Sequence, residues 1–337
     1  MPQANLNRYL PFLIWLVAFY AIWFWLVASG SYWHQLASHF PIALAMLFGS
    51  YIAGSTPMGG GTVGFPVLVL VFDMPSSLGR NFGLAIQSIG MVSASVFILC
   101  KRSPIEWKLL RGALVGSLLG TPFGAIWIAP HISDLAVKLI FAVIWASFGL
   151  MHLVKISEIA RFQGLSASWQ SWDLPIGFSI GVLGGIVASI TGVGIDMIIY
   201  VVLVMLYRAD LKIAIPTSVI LMAFTSIVGI TTNLLLAHFW PVQYQVDLEV
   251  FYSWLAASPV VAIGAPFGAF VVSLIPRAPT MIIVSLLCLV QYVWTVVHEQ
   301  VSGTSLVVSL LGIAFMNWAF IILYRLGSQS QSGECSR

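Results

Sequence analysis

The chain has 337 residues, of which 60% are hydrophobic and 7% carry a charged side chain, with a formal net charge of +3. A mean hydropathy of +1.00 excludes a soluble core of this size, and the sparse, dispersed basic charge excludes a nucleic-acid-binding surface. What remains is an all-α polytopic membrane protein, one membrane domain spanning 1–337, with lipid as a partner.

The first apolar run, "LPFLIWLVAFYAIWFWLVASG" after Arg8, carries a small-residue pattern, "VAS", that would suit signal cleavage. Its length and its Trp15, Trp23 and Trp25 fit a retained helix better, because signal cores run to about 7 to 15 residues. Next comes 42–72, a long apolar region interrupted by "GSTPMGGGTVGFP" from Gly54 to Pro66. Full spans follow at 81–100, 109–129 and 136–154. A second interrupted region, 175–207, is broken at "TGVGID", Thr191 to Asp196, and then come spans at 214–237, 250–273, 280–298 and 304–325. With the first run this makes eight full spans of roughly 20 residues, each long enough for about 30 Å of hydrocarbon. Cys100, Cys288 and Cys335 are far apart and show no metal or disulfide spacing.

Loop charge orients the spans, since cytoplasmic loops are enriched in Lys and Arg. Lys101, Arg102, Lys108 and Arg111, then Lys155 and Arg161, then Arg208 and Lys212 mark three cytoplasmic loops. The segments 30–41, 239–249 and 299–303 have no Lys or Arg, and Asp247, Glu249 and Glu299 fall in the last two. On this reading both termini are cytoplasmic. Both broken regions then enter and return on one side, each as a hairpin of two short helices. Arg80, at the exit of the first hairpin, is the one charge at odds with the pattern and is expected to face the protein interior.

"GTPFGA" at Gly120–Ala125 recurs as "GAPFGA" at Gly264–Ala269, an offset of 144, and "MGGGTVGFPVLVLV" overlays "TGVGIDMIIYVVLV" at an offset of 133, setting Gly59 and Gly61 on Gly192 and Gly194. The chain therefore divides into a peripheral helix and external loop (1–41), repeat 1 (42–154), a cytoplasmic linker (155–174), repeat 2 (175–298) and a final helix and tail (299–337). Each repeat opens with a glycine-broken hairpin and makes five crossings. An odd number starts the second repeat on the opposite face, so the repeats are inverted, as in many secondary transporters. Gly112, Gly116, Gly120 and Gly124, like Gly177, Gly181 and Gly185, read as seams of close helix packing, and Pro122 and Pro266 as kinks.

A break inside the membrane must face protein or a watery cavity, because its backbone groups lack helical partners. The helix N-termini created there present N–H groups and partial positive charge, which attract an anion. Candidate substrate donors are Ser55, Thr56, Gly59, Gly60, Gly61 and Thr62 in the first repeat, and Ser189, Thr191, Gly192 and Gly194 in the second. The helices that follow add Asn81, Gln87 and Ser88, and Thr217 and Ser218; Asn81 and Thr217 overlay at an offset of 136. Asp196, an ionisable group inside an apolar segment, is a coupling candidate or a helix cap. Gln291 and Asn317 are expected to bond between helices, and His131, His152, His238 and His298 to sit at the membrane interface. No metal cluster, paired carboxylates or nucleophile with a base is present, so an enzyme is not expected, nor a cofactor.

The paired glycine-rich openings, "GSTPMGGGTVGFPVLVL" and "ASITGVGIDMIIYVVLV", followed by "GRNFGLAIQS" and "IPTSVILMAF", resemble the TauE/SafE family of sulfite and organosulfonate exporters over 42–298. The resemblance implies a bacterial inner-membrane carrier of small sulfur-containing or carboxylated anions, driven by an ion gradient with a proton or sodium as the coupled ion. It departs from the family at "GVGID", where a fuller glycine run and a proline are usual. An anion channel on the same broken helices is the alternative. Which anion moves, in which direction, and the oligomeric state stay open at this point.

Overall fold

The computed structural model describes residues 6–159, 161, 162, 164, 172–271, 274 and 277–334. The first five residues, much of the 155–174 linker and the tail bearing Cys335 lie outside the described residues. Thirteen helices follow one another: α1 (Leu6–Gly30), α2 (Trp33–Ser38), α3 (Phe40–Ser55), α4 (Gly61–Pro66), α5 (Ser76–Lys101), α6 (Trp107–Phe123), α7 (Asp134–Ile159), α8 (Asp173–Thr191), α9 (Ile195–Val201), α10 (Leu211–Phe239), α11 (Leu248–Val271), α12 (Arg277–His298) and α13 (Gly303–Glu334). No strand occurs among the described residues. Helices α4, α6 and α9 run on into π-helical turns at Val67–Val71, Gly124–Ile128 and Val202–Leu206. Two of these turns start one or two residues after a proline, Pro66 and Pro122, where a missing N–H loosens the helical ladder.

Among the described residues nine helices are long and apolar enough to cross a membrane, one more than the sequence led us to expect. The addition is α8. Its glycine break lies at its end, Gly192, so its 19 residues stay in one piece and reach roughly 28 Å at about 1.5 Å per residue. The corresponding α3 has 16 residues and ends at Ser55. The multi-pass membrane class thus stands, while the second hairpin has one long arm and one short arm instead of two short ones.

Polar contacts define the two ends of the bundle. At the basic end, Arg8 donates to the carbonyls of Cys100 and Lys101, Glu106 N–H donates to the Thr217 hydroxyl at 3.1 Å, and the Tyr207 hydroxyl donates to Asp173 at 2.7 Å. Burial, with the Asp173 carboxylate beside it, pushes the Tyr207 phenol above its ordinary range, so it stays a donor. At the acidic end, His39 meets Glu249 at 2.7 Å, Ser76 N–H donates to Asp134 at 2.6 Å, and Lys138 donates to Glu299 at 2.7 Å. Asp73 lies there too, 3.9 Å from His298. The arm α3 starts at the acidic end and the α4 arm returns to it, whereas α8 and the α9 arm start and finish at the basic end.

Four helix pairs make up the interior of the bundle. Helix α3 lies against α11 and α8 against α6, while α5 packs on α10 and α7 on α12. Glycines make the crossed seams possible. A Cβ on Gly116 would collide with the Phe178 carbonyl oxygen, one on Gly181 with that of Ala113, and one on Gly268 with that of Tyr51. Close backbone approach of this kind is what lets helices associate in lipid. Helices α1 and α13 lie outside this arrangement, with few buried residues; α1 is tied on by Trp23 Nε1–H to the Leu255 carbonyl at 2.9 Å.

Two expectations are corrected here. His152 is not interfacial: α7 runs on to Ile159, which leaves His152 fully buried, 2.9 Å from the Tyr200 hydroxyl and close to the Phe148 carbonyl. Asn317 bonds within its own helix, donating to the Ile313 carbonyl at 2.9 Å, and not to another helix.

Candidate functional site

The first break begins where Thr56 takes an extended backbone (φ −138°, ψ 166°) and ends α3. Its hydroxyl donates to the Ile52 carbonyl at 2.7 Å, and Ser55 Oγ does the same at 3.4 Å, so both cap the helix that they terminate. The chain then turns through Gly59, whose φ of +63° costs an L side chain roughly 1–2 kcal/mol. Thr62 turns its hydroxyl back to the Met58 carbonyl. The backbone N–H groups of Gly59, Gly60 and Gly61 have no acceptor among the described residues. These donors sit at the start of the α4 arm, where the helix field favours negative charge.

The second break turns at Gly192, φ +83°, and again at Gly194, φ +112°, whereas of the overlaid Gly59 and Gly61 only Gly59 has a positive φ. A Cβ on Gly192 would strike the Arg80 backbone. Here, however, the helix start is occupied by the chain's own anion. Asp196 is fully buried, and its Oδ1 accepts from Gly194 N–H at 3.2 Å and Met197 N–H at 3.0 Å. Thr191 closes the turn with its hydroxyl, which donates to the Val193 carbonyl at 2.7 Å and lies 3.0 Å from that of Val187 as the alternative acceptor.

The two breaks meet at Gln87 of α5. Its amide N–H groups donate to the Gly83 carbonyl at 2.9 Å and to the Gly192 carbonyl of the second break at 3.0 Å. That leaves Gln87 Oε1 facing Gly59 of the first break. Asp196 Oδ2 faces the same spot: a Cβ on Gly59 would overlap Gln87 Oε1 and lie 2.8 Å from Asp196 Oδ2. Both oxygens are buried and neither has a hydrogen-bond donor. Two buried acceptors aimed at one point call for a proton, a cation or a water between them. Gly61 lies alongside, against Val193 and the Gln87 amide nitrogen.

Other candidates lie elsewhere. Ser88 and Ser218 donate to their own helices, at the Ala85 and Ile215 carbonyls, and Ser189 to Ile186. Asn81 accepts from Asn233 Nδ2 at 2.7 Å at the acidic end, while its sequence counterpart Thr217 binds the Ile213 carbonyl and Glu106 N–H at the basic end. The pair overlay in sequence and stand at opposite ends of the bundle. One group that the sequence reading passed over is Trp145, fully buried near Gly194 and stacked on Phe141 at 3.9 Å, with its indole N–H unpartnered. The stack continues to Phe65 of the α4 arm at 4.4 Å, and a tryptophan among membrane aromatics gives no sequence signal of that role.

Among the described residues no cluster of His, Cys, Asp or Glu could hold a metal ion. The family model for the sulfite exporter TauE/SafE matches residues 42–295, which takes in both breaks and every helix from α4 to α11, with nearly all of α3 and α12. Neither a curated protein nor a solved structure matches the chain.

Proposed function

The chain belongs to the sulfite exporter TauE/SafE family, a family of membrane transporters and not of enzymes, and on that premise we propose that it is a secondary transporter moving a small anion through the crossing of its two broken helices. The substrate class is sulfite, an organosulfonate or a related carboxylated anion. The observation that carries the reading is the convergence at Gln87: one amide bridges to the second break while its oxygen and that of Asp196 face Gly59 in the first. Broken helices meeting at a buried point are the usual site architecture of such carriers.

In this reading units 42–154 and 175–298 are inverted repeats that rock against each other. Their crossed packing and the return of their hairpins to opposite ends support it. The basic end is cytoplasmic and holds both termini, in the bacterial inner membrane, by the positive-inside rule. The anion is held by the free N–H groups of Gly59, Gly60 and Gly61. Asp196 couples: ionised, it repels an anion arriving at the crossing; with a proton or sodium on Oδ2, its charge is cancelled and the anion can enter. The cation and the anion then travel together.

The test is flux into proteoliposomes with sulfite, sulfate, thiosulfate, taurine, sulfoacetate and small carboxylates, with and without a proton or sodium gradient. Saturable, gradient-driven uptake of one of these is expected. Flux that neither saturates nor responds to a gradient would replace the carrier with a channel, and no flux of any anion would overturn the reading.

A further inference from the structure

A cavity of about 290 Å³ opens at the acidic end, lined among others by Arg80, Asn81, Asn233, Gln243 and Gln245. Arg80 is half-buried, and its Nε is sealed from solvent with no hydrogen-bond partner. The contrast with Lys138 at the same end is informative. Lys138 is clamped by Asp134 at 2.9 Å and Glu299 at 2.7 Å, whereas Arg80 has no carboxylate among the described residues. Orientation by loop charge does not account for it either, because it sits at the end where cations are otherwise scarce. A guanidinium offers planar, paired donors that match an oxyanion, and amide groups beside it complete such a site.

A second cavity, about 300 Å³, opens at the basic end beside Lys101, Arg102 and Lys212. The two are built from equivalent positions of the two units. At the offset of 136, Arg80 falls on Pro216 and Phe97 on Asn233; at 144, Ala125 falls on Ala269; all six line one cavity or the other. Each cavity also reaches one break. Gly54, just before the first, lines the basic cavity, and Gly192 of the second lies against the Arg80 backbone beside the acidic one. Equivalent cavities flanking one crossing are the two mouths of a path.

We propose that the acidic-end cavity is a second binding station for a small oxyanion such as a sulfonate, held by the Arg80 guanidinium with the Asn81, Asn233, Gln243 and Gln245 amides around it. The station rests on the transport reading for its purpose and not for its chemistry. It is the mouth at which the anion is held before entering the crossing or after leaving it. Anion binding there is reached from the acidic face alone.

The experiment reads the cavity directly. Val242 lines the same cavity, is exposed and offers no side-chain polar group, so Val242→Cys is introduced into the full chain in a Cys335→Ser background, where the remaining Cys100 and Cys288 are buried. The rate of labelling by a charged maleimide is measured in maltoside detergent with methanesulfonate, sulfate, acetate or glycerophosphate, none of which reacts with the reagent. Methanesulfonate or sulfate is expected to slow labelling by about fivefold or more. Arg80→Gln is expected to abolish that protection, with Arg80→Lys keeping part of it. Should Arg80→Gln not give monodisperse protein, Arg80→Lys against the parent decides. Equal protection without the guanidinium, or no protection by any probe, overturns the proposal. Protection by glycerophosphate alone overturns it in favour of a lipid headgroup. Labelling needs no flux, so protein that is protected but moves no anion contradicts only the transport reading, and protein that transports without protection contradicts only the station.

Discussion

The two breaks share a turn and differ in what occupies the helix start behind it. Both bend at a glycine in the left-handed region, Gly59 and Gly192. Behind Gly59 the chain offers three N–H groups without acceptors; behind Gly192 the Asp196 carboxylate already takes two. A symmetric pair of anion sites is therefore not what the fold builds. It builds one donor set that no side chain caps and one internally capped set, with the spare oxygen of the cap turned toward Gly59 of the uncapped one. On the proposed reading of 42–154 and 175–298 as repeats, one side-chain difference, a carboxylate in the second break where the first has none, would give the two breaks different tasks.

The comparison can be broken most severely at Gly59. Gly59→Ala combines a disfavoured backbone with a methyl placed on Gln87 Oε1 and beside Asp196 Oδ2. We expect initial flux to fall by about 100-fold or more, on the order of 3 kcal/mol, with protein still monodisperse by gel filtration; flux within a few-fold of the parent would remove Gly59 from the path. Asp196→Asn keeps an acceptor for Gly194 and Met197 and removes the charge. Gradient-driven accumulation should drop by roughly tenfold or more while anion exchange without a gradient persists, and the flux should lose its dependence on pH or sodium; an unchanged dependence would take coupling away from Asp196.

Gln87→Leu removes both the bridge to Gly192 and one of the facing oxygens. It should raise the half-saturating anion concentration by about tenfold, or 1.4 kcal/mol, and a parent-like saturation curve would argue against the crossing as the site. The smallest effects belong to substitutions that leave the backbone donors and the facing oxygens in place. Gly60 has an ordinary helical backbone (φ −69°), and a Cβ there would press at 3.2 Å only on the Met46 methyl, the flexible end of a side chain that can give way, so Gly60→Ala should change flux by less than about threefold. Ser88→Ala, whose hydroxyl bonds only to Ala85, should be indistinguishable from the parent in saturation and thermal stability. A large loss there would mean that the donor set reaches further along α5 than the geometry allows.

Much of this was legible in the chain itself, for physical reasons. Lipid demands long apolar helices and internal satisfaction of the backbone, so spans and glycine breaks stand out in the hydropathy pattern. The glycine seams were readable as packing because nothing else brings helix backbones so close. The meeting of Gly59, Gln87 and Asp196 was not readable, since the three were separate candidates in separate segments and only the crossed packing joins them. Pairing Asn81 with Thr217 by repeat alignment likewise carried no contact. Asn81 bonds to Asn233 at the acidic end and Thr217 to Glu106 at the basic end, so the length of the bundle separates them. Arg80 stood out as a misplaced charge, but its cavity depends on the α10–α11 loop folding over it, and no local pattern announces that.

The crossed seam of α3 against α11 also bears on how the protein is made. When α3 leaves the ribosome its glycine face has no partner, and α11 is still unsynthesised; at about 5–20 residues per second the wait is on the order of 10 to 40 s. Throughout that interval Gly54 and its neighbours face whatever surrounds the nascent chain. The first half is thus committed to insertion before it can be committed to structure, and its maturation is timed by the completion of the second.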